Sequence, residues 1–167
     1  MLAPPQPCPS LAPQSAASAD ALLASASLLQ RAEPGSDTHS LLRGKNLGLV
    51  CVSEDDADAT LFCGAALALG ASVSHIRPDL SAPGGTAGTG LLRTARVLGR
   101  LYDAIECQGL ASALVLQLGR EAGVPVFDGL ACAGHPTAQL AQRLVGPDSV
   151  DRKRELVLQA VLLFELR

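Results

Sequence analysis

Short apolar runs alternate with longer segments of helical periodicity along most of the chain. We predict four strands from the runs rich in Val, Ile, Leu and Ala, at 47–52, 72–76, 103–107 and 124–127. We predict helices from apolar residues at helical spacing, at 18–33, 57–69, 91–101, 110–122, 135–145 and 151–166. Strands that alternate with helices indicate a parallel sheet covered on both faces. We therefore expect one three-layer α/β domain with a four-stranded, mainly parallel, Rossmann-like sheet flanked by helices.

The beginning of the chain differs in composition from the rest. Five of the eleven prolines lie within residues 1–14, where they exclude a regular helix. We expect 1–14 to be a disordered or loosely packed tail and 15–167 to form the folded domain. The first residues lack the basic segment of a signal peptide, and no apolar run is long enough to span a membrane. These observations predict a cytoplasmic protein without a membrane partner.

Composition and cysteine spacing exclude several classes of partner. The chain has a net charge of −3, scattered basic residues and only 2% aromatic residues, which argues against nucleic acid as a partner. The five cysteines are widely spaced and form no CxxC pair, so we expect reduced, inert thiols. No Ser or Cys lies in a nucleophile-elbow motif. We expect neither a cofactor nor a bound metal.

Four carboxylates follow the first predicted strand, at Glu54, Asp55, Asp56 and Asp58. In α/β proteins this strand-to-helix turn binds anions, because free backbone N–H groups and the helix dipole point outward there. Carboxylates stabilise a helix start but repel a phosphate. Their oxygens also suit magnesium or calcium, although the spacing is not that of an EF-hand loop. We favour a solvated acidic helix start over a cation site.

Two other segments lie at the sheet edge where α/β proteins form binding sites. The glycine-rich segment 81–90 matches neither a dinucleotide-binding motif nor a P-loop, and a mobile connection and a binding role both stay open. His135 precedes Pro136 at the start of a predicted helix. Its imidazole could donate a hydrogen bond to a ligand oxygen, but a surface histidine is the interpretation that we favour.

Several segments, in order, resemble the aspartate/ornithine carbamoyltransferase family, and specifically its carbamoyl-phosphate-binding domain. TARVL followed by YDAI resembles the family's DTARVLSRYVDAI, and VPVFD followed by HPT resembles VPVING…HPTQAL. GKNL at 44–47 and LGA at 69–71 resemble the lead into the family's first strand and the end of its first helix. The resemblance runs from about residue 18 to 146. Residues 151–167 are similar to the family's last helix, which returns to pack on the first domain.

The resemblance also implies large departures from the family. The amino-acid-binding domain is missing, because only 146–150 joins the two matching parts. The family's Ser-Thr-Arg-Thr-Arg turn, which binds carbamoyl phosphate, corresponds to Asp55, Asp56, Ala57, Asp58 and Ala59. The family arginine after the third strand corresponds to Gln108, and the glutamine after HPT corresponds to Ala138. Among the main ligand contacts, His135 alone is carried over.

We interpret these departures as a truncated, degenerate carbamoyltransferase-like protein without catalysis, which serves as an oligomeric interaction or regulatory module in amino acid metabolism. The family assembles as trimers through this domain, so we expect a homotrimer or association with a full-length carbamoyltransferase.

Two alternatives stay open. One is a pocket between the acidic turn, the glycine-rich segment, Gln108 and His135 that binds a cationic or neutral small ligand. The other is residual carbamoyl transfer, which would lack the arginines that stabilise developing charge and the domain that holds the amine. Whether the parent enzyme used ornithine or aspartate is also open.

Overall fold

Four parallel strands form one sheet in the order β2-β1-β3-β4. The computed structural model describes residues 16–32, 37–53, 55–78 and 89–167. The strands are β1 (Asn46–Val50), β2 (Ser72–Ile76), β3 (Ala104–Cys107) and β4 (Val126–Asp128). The helices of the described residues are α1 (Ala16–Arg31), α2 (Ala57–Ala68), α3 (Thr89–Leu101), α4 (Ser112–Ala122), α5 (Pro136–Arg143) and α6 (Val150–Leu166). The predicted four-stranded parallel α/β fold is confirmed.

The predicted elements are present, with ends that differ by one or two residues. The fourth strand begins at Val126 and not at residue 124, since Pro125 has no N–H to donate to the sheet, although its carbonyl accepts from Ile105. Helix α3 includes Thr89 and Gly90, which the sequence assigned to the glycine-rich segment. A short 3-10 helix at Asp37–Ser40 was not predicted. The tail 1–14 and the glycine-rich residues 81–88 lie outside the described residues.

Strand β1 separates two apolar cores because its side chains alternate between the faces of the sheet. Leu47 and Leu49 lie in the core on the α2 and α6 side, whereas Val50 lies in the core beneath α3 and α4. Gly48 faces Tyr102, and a Cβ at this position would come within 3.1 Å of the Tyr102 ring. The close approach of that aromatic ring accounts for a glycine in the middle of a buried strand.

Helix α6 is the most buried helix of the described fold. Its residues 156–163 are all buried, and it packs against α1, α2 and α5. Phe164, near its end, is exposed, whereas the burial of residues 156–163 runs around the whole helix. Because α2 and α5 lie beside it and α1 also packs on it, α6 belongs to the interior. Through Arg154 it also contacts the start of α2 and the loop after β4, where most of the predicted site residues lie.

The cysteines of the described residues form no disulfide bonds with one another. Cys51 and Cys107 are buried. Burial raises the pKa of the Cys107 thiol, so the thiol stays protonated and acts as a small apolar side chain.

Candidate functional site

The predicted site residues gather at the carboxyl ends of β1, β3 and β4, on the side of the sheet covered by α2 and α6. This edge is where parallel α/β sheets bind ligands. The turn after β1 leads into α2, Gln108 directly follows β3, and residues 129–135 connect β4 to α5. Helix α6 contributes Arg154, which the sequence had not singled out.

The acidic turn begins helix α2. Asp56 is the N-cap residue, and its Oδ1 accepts the backbone N–H of Asp58 at 2.8 Å. An aspartate here accepts a hydrogen bond from a backbone N–H that the helix leaves unpaired, and its negative charge interacts favourably with the positive end of the helix dipole. Asp55 and Asp56 are exposed. These two residues form the solvated, acidic helix start that we predicted.

Asp58 differs, because it forms an ion pair with helix α6. Its Oδ1 lies 3.1 Å from Nη2 of Arg154, and the two side chains are 29% and 18% exposed. The same nitrogen of Arg154 donates to the carbonyl of Ala131 at 2.5 Å, and Nη1 lies 3.6 Å from Asp151. Asp58 is therefore a paired carboxylate, and the prediction of a solvated side chain is wrong for this residue.

The alanines at the predicted site occupy three different environments. Ala57 is exposed, and Ala59 is fully buried in the core. Ala138 lines a narrow space of about 140 Å³ that has no room for a water molecule. Arg154 and Leu158 of α6 line the same space. Side chains of α6 thus fill the region next to Ala138 and leave no room for a ligand there.

Gln108 contacts a buried glutamate that sequence reasoning missed. Its Nε2 donates to Oε1 of Glu106 at 3.4 Å, and both side chains are buried. Among the described residues, Oε2 of Glu106 and Oε1 of Gln108 have no hydrogen-bond partner. A glutamate in a strand of a sheet covered on both faces is the signal that could have identified this position.

Burial raises the pKa of Glu106 from its ordinary 4.5 to about 8. The nearby Asp128 carboxylate raises it further, whereas Gln108 and the amides of Leu130 and Ala131 oppose the rise. Glu106 is therefore protonated at neutral pH. A proton on Oε2 gives the donor that Oε1 of Gln108 lacks, so a protonated Glu106 and Gln108 can close into an acid–amide pair.

His135 is buried, so the predicted surface position is wrong. It caps helix α5, where Nδ1 accepts the backbone N–H of Thr137 at 3.2 Å. The Thr137 hydroxyl lies 2.9 Å from Nδ1 and donates to the carbonyl of Leu130 at 2.7 Å. Burial lowers the pKa of His135, and the charge of Asp128 opposes this effect. The imidazole is thus held neutral, as a cap that fixes the loop between β4 and α5.

The site as a whole is acidic, with the exposed Asp55 and Asp56 beside the paired Asp58. Within the described residues, no group of three or more His, Cys, Asp or Glu side chains could hold a metal ion. The guanidinium of Arg154 already binds Asp58 and a backbone carbonyl. In the same part of the chain, no helix is long and apolar enough to cross a membrane.

Comparison with known proteins identifies relatives of the chain. No model of a known protein family matches the sequence. An ornithine carbamoyltransferase of Haemophilus influenzae is 38% identical over 124 residues, which are 74% of this chain and 36% of that enzyme. The chain therefore spans about a third of the length of this relative.

Solved carbamoyltransferase structures share the fold. Ornithine carbamoyltransferase from Pyrococcus furiosus superposes with a TM-score of 0.64 and 26% identity over 80% of this chain and 42% of that one. N-acetyl-L-ornithine transcarbamylase in complex with carbamyl phosphate and N-succinyl-L-norvaline gives a TM-score of 0.60 and 27% identity over 78% and 44%. The aspartate transcarbamoylase catalytic subunit of M. jannaschii, at 23% identity, gives a TM-score of 0.63 over 80% and 44%. The chain is a homologue of the ornithine carbamoyltransferases that has their fold and corresponds to part of their length.

Proposed function

We propose that this carbamoyltransferase-like chain does not catalyse carbamoyl transfer and acts instead through contacts with other protein chains. The observation that carries the proposal is the ion pair between Asp58 and Arg154, at a position that corresponds by resemblance to the family's carbamoyl-phosphate turn. A carboxylate occupies that position, and the arginine nearest to it is neutralised within the chain. The guanidinium of Arg154 is therefore not free to bind a phosphate.

Electrostatics supports the loss of carbamoyl phosphate binding. A pair of unit charges about 4 Å apart is worth about 4 kcal/mol at an effective dielectric constant of about 20. A dianion placed at the start of α2 would meet the exposed Asp55 and Asp56 and would compete with Asp58 for Arg154. Gln108, at the family's arginine position, contributes no charge and contacts Glu106.

The connection between α5 and α6 supports the absence of transfer. Helix α5 ends at Arg143 and α6 begins at Val150, so residues 144–149 are all that joins them. By resemblance, the amino-acid-binding domain of the family lies between these elements. Carbamoyl transfer needs the amine held beside the carbamoyl group, because positioning supplies much of the rate enhancement. We therefore propose that the amine site was lost together with the phosphate site.

A role in assembly is the remaining part of the proposal. We propose that the chain forms a homotrimer or joins a full-length carbamoyltransferase. Exposed large apolar side chains on the outer helices, which are Val97, Leu101 and Leu116, are consistent with a surface that another chain covers.

The proposal is tested by assaying the full chain for carbamoyl transfer from carbamoyl phosphate to ornithine and to aspartate. The Haemophilus influenzae relative is the positive control for ornithine. We expect no citrulline and no carbamoyl-aspartate above the uncatalysed rate. Turnover that scales with the concentration of the chain, and that is lost in Asp58→Lys, would refute the non-catalytic part of the proposal.

A second candidate function is binding of a small cationic ligand. A bound cation would have to displace the proton that Glu106 carries at neutral pH; Glu106 Oε2 and Gln108 Oε1, which have no partner among the described residues, are then both acceptors, and Asp128 adds a nearby carboxylate. Such a site favours an ammonium group over a phosphate. Calorimetric titration with ammonium and simple alkylamines tests this function, and saturable binding that Glu106→Gln abolishes would favour it over the assembly role.

A further inference from the structure

Helix α3 carries a band of arginines beside a pair of exposed apolar side chains. Arg93, Arg96 and Arg100 recur at intervals of three and four residues and are exposed, so they share one side of the helix. Val97 and Leu101 lie four residues apart beside this band and are more than half exposed. The opposite side of α3 packs into the core between the helix and the sheet, and none of these five side chains belongs to that core.

A groove of about 420 Å³ separates this side of α3 from the end of α4. Gly99 lets the two helices meet below the groove, because a Cβ at this position would clash with the carbonyl of Ala122. Arg96 and Arg100 line the groove on the α3 side, and Glu121 lines it on the α4 side. Side chains of a third helix pack well into the groove between two others. The shape of this surface therefore favours a helical occupant.

The charge of this surface is opposite to that of the chain. Arg96 pairs with Glu121 at 3.0 Å. Arg93, Arg100 and the exposed Arg120 of α4 form no ion pair with another described residue. Four arginines against one glutamate leave an excess of positive charge, whereas the whole chain has a net charge of −3. The surface therefore attracts carboxylates.

Composition and charge also narrow the kind of partner. Nucleic acid is disfavoured, because the chain has only 2% aromatic residues and Glu121 would face the phosphates. A second copy of the chain is disfavoured, because no helix of the described residues presents two exposed carboxylates three or four residues apart. A helix of another protein fits, with apolar side chains against Val97 and Leu101 and Asp or Glu beside them.

We propose that the groove between α3 and α4 binds an acidic amphipathic helix of another protein. This inference rests on the proposed assembly role and names the surface and the kind of partner. Carboxylates of the partner helix pair with Arg93 and Arg100, and its apolar side chains cover Val97 and Leu101. Exposed ion pairs contribute little singly, so the apolar contact supplies most of the affinity and the charges select the partner and its orientation.

Calorimetric titration of the full chain with a synthetic peptide tests the proposal. The probe is an alanine-rich peptide of about 18 residues, long enough to form a helix in isolation, in which Leu and Glu recur at spacings of three and four along one face. One control peptide has the same composition in scrambled order, so that it forms no such face. A second control has Lys in place of each Glu. We expect saturable binding of the Glu peptide and of neither control.

Charge reversal of the chain locates the binding surface. Arg93→Glu/Arg100→Glu should weaken binding of the Glu peptide by about 100-fold, since like charges then face each other, and should bind the Lys peptide instead. The matched control, Arg43→Glu/Arg77→Glu, makes the same change in net charge at exposed positions outside α3 and α4. It should bind the Glu peptide as the wild type does, and circular dichroism should show that both variants are folded.

Equal binding of the scrambled peptide, no binding of the Glu peptide, or unchanged binding by Arg93→Glu/Arg100→Glu would each overturn the proposal. The assembly role is tested separately by light scattering after size exclusion, alone and with a full-length carbamoyltransferase. Assembly without binding of the Glu peptide would overturn this inference and leave the assembly role standing.

Discussion

Oδ1 of Asp58 lies 3.1 Å from Nη2 of Arg154, and this ion pair joins the start of α2 to α6. The carbonyl of Ala131 accepts from the same arginine, so the loop after β4 is held as well. Three segments that are distant in sequence thus converge on one guanidinium. The arrangement makes Arg154 a structural residue of the acidic site.

Loss of the Arg154 side chain should destabilise the fold more than loss of an exposed arginine. Arg154→Ala leaves Asp58 and the Ala131 carbonyl without their shared partner in a partly buried region, and we expect a loss of about 1–3 kcal/mol in the free energy of unfolding. Arg143→Ala, which removes an exposed pair with Asp20, should cost under about 1 kcal/mol. Urea denaturation measures both. Equal, small losses would show that the Asp58–Arg154 pair does not hold these segments together.

Glu106 should make the fold less stable as the pH rises. The pKa of Glu106 is about 8 in the folded chain and 4.5 ordinarily, so the folded chain holds this proton more tightly than the unfolded chain does. That contribution to stability is fully present below pH 4.5 and is lost as the pH rises toward 8. The whole difference corresponds to about 5 kcal/mol. Denaturation of the wild type and of Glu106→Gln between about pH 5 and pH 9 isolates this effect from Asp128 and His135. The wild type should lose more stability than the variant, and parallel curves would contradict the assignment.

Two glycine-to-alanine substitutions should have opposite effects. A Cβ at Gly99 would come within 1.8 Å of the Ala122 carbonyl oxygen, so Gly99→Ala must push α3 and α4 apart at a cost of about 1–3 kcal/mol. A Cβ at Gly64, in the middle of α2, meets nothing within 4 Å. Gly64→Ala should therefore stabilise the chain by about 0.5–1 kcal/mol. Thermal unfolding followed by circular dichroism compares the two, and a stabilising Gly99→Ala would contradict the described contact.

His135 should act as a helix cap. His135→Ala removes the acceptor for the backbone N–H of Thr137 and should cost about 1–2 kcal/mol. His135→Asn supplies a capping oxygen and should recover part of that loss. Chemical denaturation of the two variants gives the comparison. If the alanine and asparagine variants were equally unstable, the role of His135 would lie in its ring packing and not in capping.

The strands and helices of the fold could be predicted from the sequence. The side-chain contacts that join distant segments at the carboxyl edge of the sheet could not. Strand and helix periodicity is local, so the order of elements and most of their ends follow from short windows. The Asp58–Arg154 pair depends on residues 96 positions apart, and no local pattern indicates it. His135 was expected at the surface because its burial depends on how the loop after β4 folds back over it. Glu106 was passed over within an apolar run, because the pattern indicates which residues lie in a strand but not how an acidic one is accommodated.

The most direct test of the central claim is calorimetric titration of the full chain with carbamoyl phosphate, with inorganic phosphate as the control ligand. A site whose turn is acidic, and whose Arg154 is already paired with Asp58, should release no saturable heat with either ligand at millimolar concentration. Saturable binding of carbamoyl phosphate with a micromolar dissociation constant, absent with inorganic phosphate, would contradict the claim that this site no longer binds carbamoyl phosphate.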